Sequence, residues 1–389
     1  MNQKFLAAVC LVVVCITLSL GLWPFHSPKN EVSWMPKGGL RFGRYGTVIG
    51  RANSLAREAS NGLGGSIEIW ALPDRRNSAT ILALYRPEKR LLVTLNQSIT
   101  DLEVAAEIDD HSNQNKRWHF FAGEAFAPAL KQKRPQFITV TSGADGTKVY
   151  LNGILIETAS GAFIPADVFD SRLIIGDSPR QPNSFSGEIR GFAIYDSELA
   201  EEQVVKHYRS WATHGRPGFE RQARALYLFN ERGGNVAHNE LSTGDDLYIP
   251  PRYLVLDKSL LEPIWTEFSW SGGFWSGNLK NIIGFMPLGF ICFAFFLRMK
   301  PLRRAATLTL ICGIFASLTI ETFQWTLPTR DSGTTDIVTN AIGTWFGVLC
   351  YDHLYPRIVR RLPGLGWFAP PTQFREGSLE SNLKFPTNC

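Results

Sequence analysis

The feature that most constrains this chain is where its apolar residues fall. Phe5 to Trp23 follows Lys4 and runs about 18 residues without a charge, close to what a roughly 30 Å hydrocarbon layer demands of a helix. Three further apolar segments crowd the far end: Asn281 to Leu297, Ala305 to Leu327, and the shorter Ile337 to Tyr351. Between the two ends lies a long polar stretch rich in Gly, Asn, Asp and Thr. The 44% hydrophobic content of the 389 residues is therefore an average over two unlike parts, and it excludes disorder, collagen and a purely soluble protein.

Basic residues orient the segments. Arg298, Lys300, Arg303 and Arg304 fall between two apolar runs with no acid among them, and Arg357, Arg360 and Arg361 follow the last run. By the positive-inside rule these belong in the cytoplasm. Four spans then give an inside N-terminus, an outside middle and an inside C-terminus. Pro287 within the second span is tolerable because neighbouring helices can satisfy the carbonyl it frees. The same clusters account for much of the net charge of +5, and the polar middle shows no basic face with interleaved aromatics, so nucleic acid is not an expected partner. Ser19 and Gly21 form a weak small-x-small pattern, and the first run exceeds the roughly 7 to 15 residues of a signal-peptide core, so an uncleaved anchor is expected. Five of the six cysteines, Cys10, Cys15, Cys292, Cys312 and Cys350, lie in apolar segments and Cys389 ends the chain. The middle has none and must be held by its core alone.

From Gly39 to about Pro250, short alternating runs are separated by turn residues, the pattern of an antiparallel sandwich. In Ser66 to Leu72, Ile67, Ile69 and Ala71 share one face, and Gln136 to Val140 alternates likewise before a turn at Asp145-Gly146. Val149 to Leu151 and Ile154 to Ile156 flank Asn152-Gly153, a strong hairpin signal. A helix is expected over roughly 199–211, with Leu199, Val204, Val205 and Tyr208 inward.

Gly39 to Phe42, Ser66 to Leu72, Val149 to Ile156, Leu173 to Gly176 and Phe185 to Tyr195 together resemble a laminin G-like, concanavalin A-like jelly roll. Ala225 to Glu231, with Gly233-Gly234 and Asp246 to Pro250, resembles the first strand of such domains but comes last here, which implies a permuted order or an added edge strand. Such folds include lectins, glycan hydrolases and adhesion modules. Related glucanases carry Glu-x-Asp-x-x-Glu on one strand. Glu103, Glu107, Asp109 and Asp110 are spaced differently, so glycosidase chemistry, which needs carboxylates about 5 to 5.5 Å apart for retention, is not expected. Asp145 and Asp177 are weak calcium candidates, turn-forming aspartate being the plainer reading, and no other cofactor is expected. Trp70 and Trp118 read as packing residues before sugar platforms.

The third and fourth spans hold the most informative polar residues. Ser317, Glu321 and Gln324 recur at i, i+4 and i+7, and Asp336, Asn340, Gly343 and Gly347 at i, i+4, i+7 and i+11, each set on one helix face. A charge at mid-helix costs about 2.5 to 3.5 kcal/mol on insertion scales, so Glu321 requires a partner, and Arg330 in the turn from Leu327 to Gly333 is the expected one. With Asn281 and Asp331 these residues form the candidate ligand-binding cluster: Asn281, Ser317, Glu321, Gln324, Arg330, Asp331, Asp336 and Asn340. The alternative is hydrogen-bonding glue between helices, worth around 0.6 to 2 kcal/mol per contact.

Asn281 to Phe290, Ser317 to Gln324, Pro328 to Asp331 with Asp336, and Asn340 to Gly343 resemble, in order, the VanZ-like membrane family, named from a member linked to glycopeptide antibiotic resistance. That resemblance implies a bacterial cytoplasmic membrane protein, here with a jelly roll inserted in a loop that is short in the family. The expected layout is an anchor at 1–24, a jelly-roll ectodomain at 37–256, a linker at 257–277, VanZ-like helices at 278–351 and a cytoplasmic tail at 352–389. In function class, the leading expectation is an envelope protein whose jelly roll binds a glycan, polymer or protein. Its helices would contact membrane lipids and recognise a lipid-linked or glycopeptide-type ligand at the outer leaflet. The rivals are a membrane enzyme using Glu321 or Asp336 as acid or base with Arg330 on a phosphate, and a structural or assembly factor. No nucleophile, histidine or metal cluster accompanies Arg330, so an enzyme is the weaker expectation.

Overall fold

The computed structural model of the chain describes residues 3–51, 64–110, 114–218, 223–241 and 245–362. The tail beyond Leu362, with Cys389, lies outside the described residues. Two compact units form, one combining Met1–His26 with Ser259–Cys389, the other Ser27–Lys258. The helices are α1 (Gln3–Leu22), α2 (Ala127–Gln132), α3 (Glu201–His214), α4 (Ile264–Glu267), α5 (Gly272–Phe296), α6 (Leu302–Trp325), α7 (Thr334–Leu349) and α8 (Tyr355–Arg361). The strands are β1 (Val32–Trp34), β2 (Leu40–Phe42), β3 (Val48–Gly50), β4 (Gly65–Pro73), β5 (Asn77–Arg86), β6 (Leu91–Ile99), β7 (Asp101–Asp110), β8 (Gln114–Phe121), β9 (Gln136–Gly143), β10 (Gly146–Leu151), β11 (Ile154–Ala159), β12 (Arg172–Ile175), β13 (Gly187–Tyr195), β14 (Ala223–Tyr227), β15 (Val236–Ala237) and β16 (Leu247–Tyr248).

The middle unit is an antiparallel β-sandwich of jelly-roll type. One sheet runs β1-β2-β13-β4-β9-β10-β11 and the other β15-β16-β3-β12-β5-β6-β7-β8. Alternation decides which side chains meet: Ile67, Ile69 and Ala71 of β4 join Leu82 and Leu84 of β5, Val93 and Leu95 of β6 and Leu173 and Ile175 of β12 in one buried cluster. Asn152 and Gly153 take φ of 53° and 81°, the double left-handed turn that matches strand twist, and they close β10 onto β11. The late segment at Ala225 enters as β14, which pairs the second half of β13 (Phe192 to Tyr195) while β2 pairs its first half (Gly187 to Ile189). It is an added edge strand.

Helix α3 covers the outer face of the first sheet, and beneath it Phe137, Tyr150, Ala193, Tyr195 and Leu226 form a second core. It spans Glu201–His214 where 199–211 was expected, and it buries His207 and Trp211 as well as Val204, while Val205 and Tyr208 are only half-buried. The reason is a carboxylate. Glu68 of β4 is fully buried, with Oε2 accepting from Tyr195 Oη at 2.8 Å and Trp211 Nε1 at 3.1 Å, and Oε1 lying 2.9 Å from His207 Nδ1. Two polar side chains of α3, His207 and Trp211, therefore turn the helix toward one acid on the sheet, which Tyr195 of β13 also meets.

The polypeptide enters and leaves the sandwich side by side. Tyr253 N–H donates to Pro28 C=O at 3.0 Å, Asn30 N–H to Pro251 C=O at 3.3 Å, and Lys29 bridges Arg252. A domain with adjacent ends can be spliced into a loop of another unit without stretching that loop.

In the helical unit, α1, α5 and α6 are long and apolar enough to cross a membrane. Helix α7, the fourth expected span, has 16 residues and is short on its own, continuing through a π-turn at Cys350–Leu354 into α8. Helices α5 and α7 touch backbone to backbone: a Cβ on Gly343 would sit 2.3 Å from the Ile282 carbonyl oxygen and one on Gly347 2.2 Å from that of Met286. This is the small-xxx-small contact that lets helices associate without a hydrophobic drive between them. On the other side, Cys10, Val13, Val14, Leu18 and Leu22 of α1 pack against Phe285, Leu288, Cys292, Ala316 and Ile320.

A fragment of residues 27–258 is expected to be soluble and to unfold cooperatively in urea, unaffected by reductant. Within it, Glu68→Ala should cost about 3 kcal/mol, because it strands buried donors on Tyr195, Trp211 and His207. Gradual, non-cooperative unfolding of the unsubstituted fragment would show that the sandwich needs the helices.

Candidate functional site

The polar residues of the helical unit converge on the N-terminus of α7. A helix start leaves backbone N–H groups without intrahelical acceptors, and in an apolar setting each must find one. Glu321, 1% exposed on the last turns of α6, supplies Oε2 to Gly333 N–H at 2.9 Å. Glu267, at the end of α4, supplies Oε2 to Thr335 N–H at 2.9 Å and to the Thr335 hydroxyl at 2.5 Å. Both carboxylates therefore sit where the helix dipole favours negative charge. Asp336, in the first turn, accepts from Asn281 Nδ2 of α5 at 2.8 Å.

One layer deeper, Asn340 Nδ2 donates to Ser317 Oγ at 2.9 Å, and Asn340 Oδ1 is buried with no hydrogen-bond partner. The predicted faces of α6 and α7 thus meet each other. Gln324 serves a different purpose, donating Nε2 to the Gly21 carbonyl of α1 at 2.7 Å. Arg330 does the same one step on, with Nη2 donating to the Trp23 carbonyl at 2.7 Å. Glu321 is therefore met by the Gly333 backbone N–H and by the Ser332 side chain, where charge sign predicts Arg330. Asp331 is exposed. The eight candidates divide into a layer with Asn281, Glu321 and Asp336, a second with Ser317 and Asn340, and two residues that bind the end of α1, with Asp331 apart.

Glu267 was absent from that set because it falls in a stretch read as linker. Its signal was available: it is the one charge between Pro263 and Trp275. Chemically, three carboxylates among hydroxyls and amides make an acceptor-rich cluster suited to hydroxyl or amine donors, and one guanidinium nitrogen is already committed to a carbonyl.

The candidates expected in the sandwich lie apart from one another. Asp145 lies exposed in the turn between β9 and β10 of one sheet, whereas Asp177 follows β12 of the other. Asp177 is 1% exposed, and its carboxylate already accepts from Ser178 N–H and Asn183 N–H at 2.8 Å each and from Ser184 Oγ at 3.1 Å. The structure therefore does not bring the two calcium candidates together: Asp177 serves its own loop, and Asp145 lies in a turn of the other sheet. Among the described residues, no group of three or more His, Cys, Asp or Glu side chains could hold a metal ion. Glu103 meets Asn96 and His119, and Glu107 meets Arg180 and Arg117, on the face of β7 opposite the buried Leu102, Val104 and Ala106. Trp70 packs with Phe137 and Tyr208, and Trp118 stacks on Phe120.

Two family models match. Residues 227–355 match the one described as VanZ/LLP1, and residues 50–205 match the Concanavalin A-like lectin/glucanases superfamily. The first begins well before residue 278. No curated protein matches the chain. Among solved structures, it is similar to the receptor binding domain of botulinum neurotoxin C/D mosaic serotype, at 17% identity over 49% of this chain and 48% of that one, with a TM-score of 0.34. It is also similar to the native heptameric SAP-like pentraxin from Limulus polyphemus, at 13% identity over 56% and 94%, with a TM-score of 0.33. The binding domain of Paraclostridial Mosquitocidal Protein 1 shares 14% identity over 48% and 47%, with a TM-score of 0.37. The chain spans about half the length of the first of these.

Burial pushes the Asp177 carboxyl from its ordinary 3.8 up to about 6, outweighing the donors that favour its charge. Because the folded value lies above the unfolded one, this group supports the fold fully below about pH 4 and withdraws that support as pH rises through 6. The 27–258 fragment should therefore lose up to about 3 kcal/mol from this residue between those limits. Urea titrations at several pH values check it, with Asp177→Asn expected to flatten the profile; an identical slope in both proteins would rule the assignment out.

Proposed function

We propose that this chain is a multi-pass protein of the bacterial cytoplasmic membrane whose extracytoplasmic jelly roll binds a glycan, polymer or protein of the envelope. In this reading its VanZ-like helices recognise a lipid-linked or glycopeptide-type ligand at the outer leaflet. The observation that carries it is the gathering of Glu321, Asp336 and Asn281 at the N-terminal end of α7, with Glu267 added from the preceding segment and Asn340 beside them. The concanavalin A-like match supports a carbohydrate as the ectodomain partner. The acceptor-rich site fits the hydroxyls and amines of an amino-sugar or peptide headgroup better than a bare phosphate. Mass spectrometry of lipids and glycans extracted from the purified protein tests this directly, and turnover of a bound species would establish an enzyme.

A specific observation favours a second reading, in which the helices serve only assembly: Glu321 and Glu267 both cap backbone donors. The two readings separate on substitution. Under the binding reading, Glu321→Gln with Asp336→Asn should leave the protein in the membrane at near-normal abundance while ligand binding and phenotype fall at least about tenfold, since amides still hydrogen-bond and an expensive charge is gone. Full function in that double variant at normal abundance would remove the binding site from consideration.

Orientation rests on Arg298 and Lys300 in the turn between α5 and α6 and on Arg303 and Arg304 in the first turn of α6. Reporter fusions after residue 260 should read as extracytoplasmic and those near Lys300 and after Arg361 as cytoplasmic. A cytoplasmic signal from position 260 would invert the arrangement.

A further inference from the structure

The segment Pro263 to Trp275, which runs from before α4 into the first turn of α5, is among the most aromatic in the chain and among the least covered. Trp265 is 78% exposed, Trp270 82%, Trp275 51% and Phe268 47%. These rings are not scattered. Phe268 lies 5.1 Å from Trp270, 5.6 Å from Phe274 and 6.4 Å from Trp275, centroid to centroid, so they form one contiguous apolar patch. A patch of this kind left in water is unfavourable by about 25 cal/mol per Å² and marks an interaction surface.

Three observations say what covers it. First, the patch runs directly into the exposed apolar face of α5, where Leu279 and Ile283 are each 56% exposed on a helix long enough to span a membrane. Second, the one charge in the segment, Glu267, is turned to Thr335 N–H and its hydroxyl, so the outward face carries rings with Thr266 and Ser269 and no charge. Third, other tryptophans collect at the same end of the helical unit: Trp23, whose carbonyl accepts from Arg330, is 66% exposed, and Trp325, at the end of α6, is 42% exposed. The opposite end carries Arg298, Lys300, Arg303 and Arg304. Tryptophan collects at the headgroup level because its ring is apolar and its N–H is not.

We infer that residues 263–275 form a strap lying in the headgroup layer of a phospholipid bilayer, with Trp265 and Trp270 inserted, and that this seat holds Glu267 against the N-terminus of α7. The strap thereby makes one carboxylate of the site a membrane-positioned group. The inference rests on the membrane reading of α5 and does not depend on either unit binding a ligand, so an empty extract from the purified protein leaves it standing.

The test is fluorescence of the full chain in phosphatidylglycerol/phosphatidylethanolamine vesicles doped with brominated phosphatidylcholine. Subtracting the emission of a W265F/W270F variant isolates those two rings. The difference emission should be quenched about twofold more by lipid brominated near the headgroup than by lipid brominated near the chain end, and it should be shielded from aqueous iodide. Where the double variant does not insert, W270F alone gives the same reading. Difference emission open to iodide and untouched by either brominated lipid would overturn the strap, as would equal quenching at both depths.

Discussion

The helical unit depends on how the first turn of α7 is satisfied. Gly333 and Thr335 are buried, so their N–H groups need protein acceptors, and Glu321 and Glu267 meet them. Once they do, α6, α7 and the segment before α5 are tied at one point. Backbone pairing reinforces the tie: Glu262 N–H donates to Ser332 C=O at 2.8 Å and Thr334 N–H to Glu262 C=O at 2.9 Å. The close approach of α5 and α7 at Gly343 and Gly347 then aligns Asn281 with Asp336, since a helix held at backbone distance has little freedom to slide.

The same logic of adjacent ends explains how a sandwich of more than two hundred residues can interrupt a helical unit. Pro28 and Tyr253 are hydrogen-bonded neighbours, so the sandwich closes on itself before the chain returns to helices. Tyr85 of β5 bonds Asp257, and Asp257 N–H donates to Pro179 C=O at 2.7 Å, which fixes the departing strand to the sheet rather than to the linker. Burial raises the Tyr85 and Tyr253 hydroxyls well above the ordinary phenol range, so both remain donors throughout physiological pH.

What was legible in the sequence was periodic. Alternation at Ile67, Ile69 and Ala71, the Asn152-Gly153 turn, and the i, i+4, i+7 recurrence of Ser317, Glu321 and Gln324 each encode a local geometry, and the structure carries each of them. What was not legible depends on partners distant in sequence. Glu68 sits on the polar side of an alternating strand and reads as solvated until α3 brings His207 and Trp211 over it. Glu267 reads as linker until α7 arrives, 68 residues later. Charge sign pairs Arg330 with Glu321, whereas in the structure its Nη2 serves a carbonyl 307 residues earlier in the chain. Charge sign says which partners are compatible, and packing decides which one is met.

Asn340 is where the cohesive and the ligand-binding readings of the network differ most. Cohesive polar networks in native proteins satisfy nearly all buried donors and acceptors, because an orphan costs about 1 to 3 kcal/mol. Asn340 is 3% exposed, its Nδ2 donates to Ser317, and its Oδ1 has no protein group within hydrogen-bond reach. Exchanging the amide oxygen and nitrogen moves the deficit without removing it, since Ser317 then donates to the oxygen and leaves the amine unmet. An alanine or leucine at 340 would hold α7 against α6 without that penalty. In the binding reading proposed above, the Asn340 amide, one turn beyond Asp336, is the group that a ligand would meet, while Glu321 and Glu267 account for helix adhesion through the N–H groups they cap.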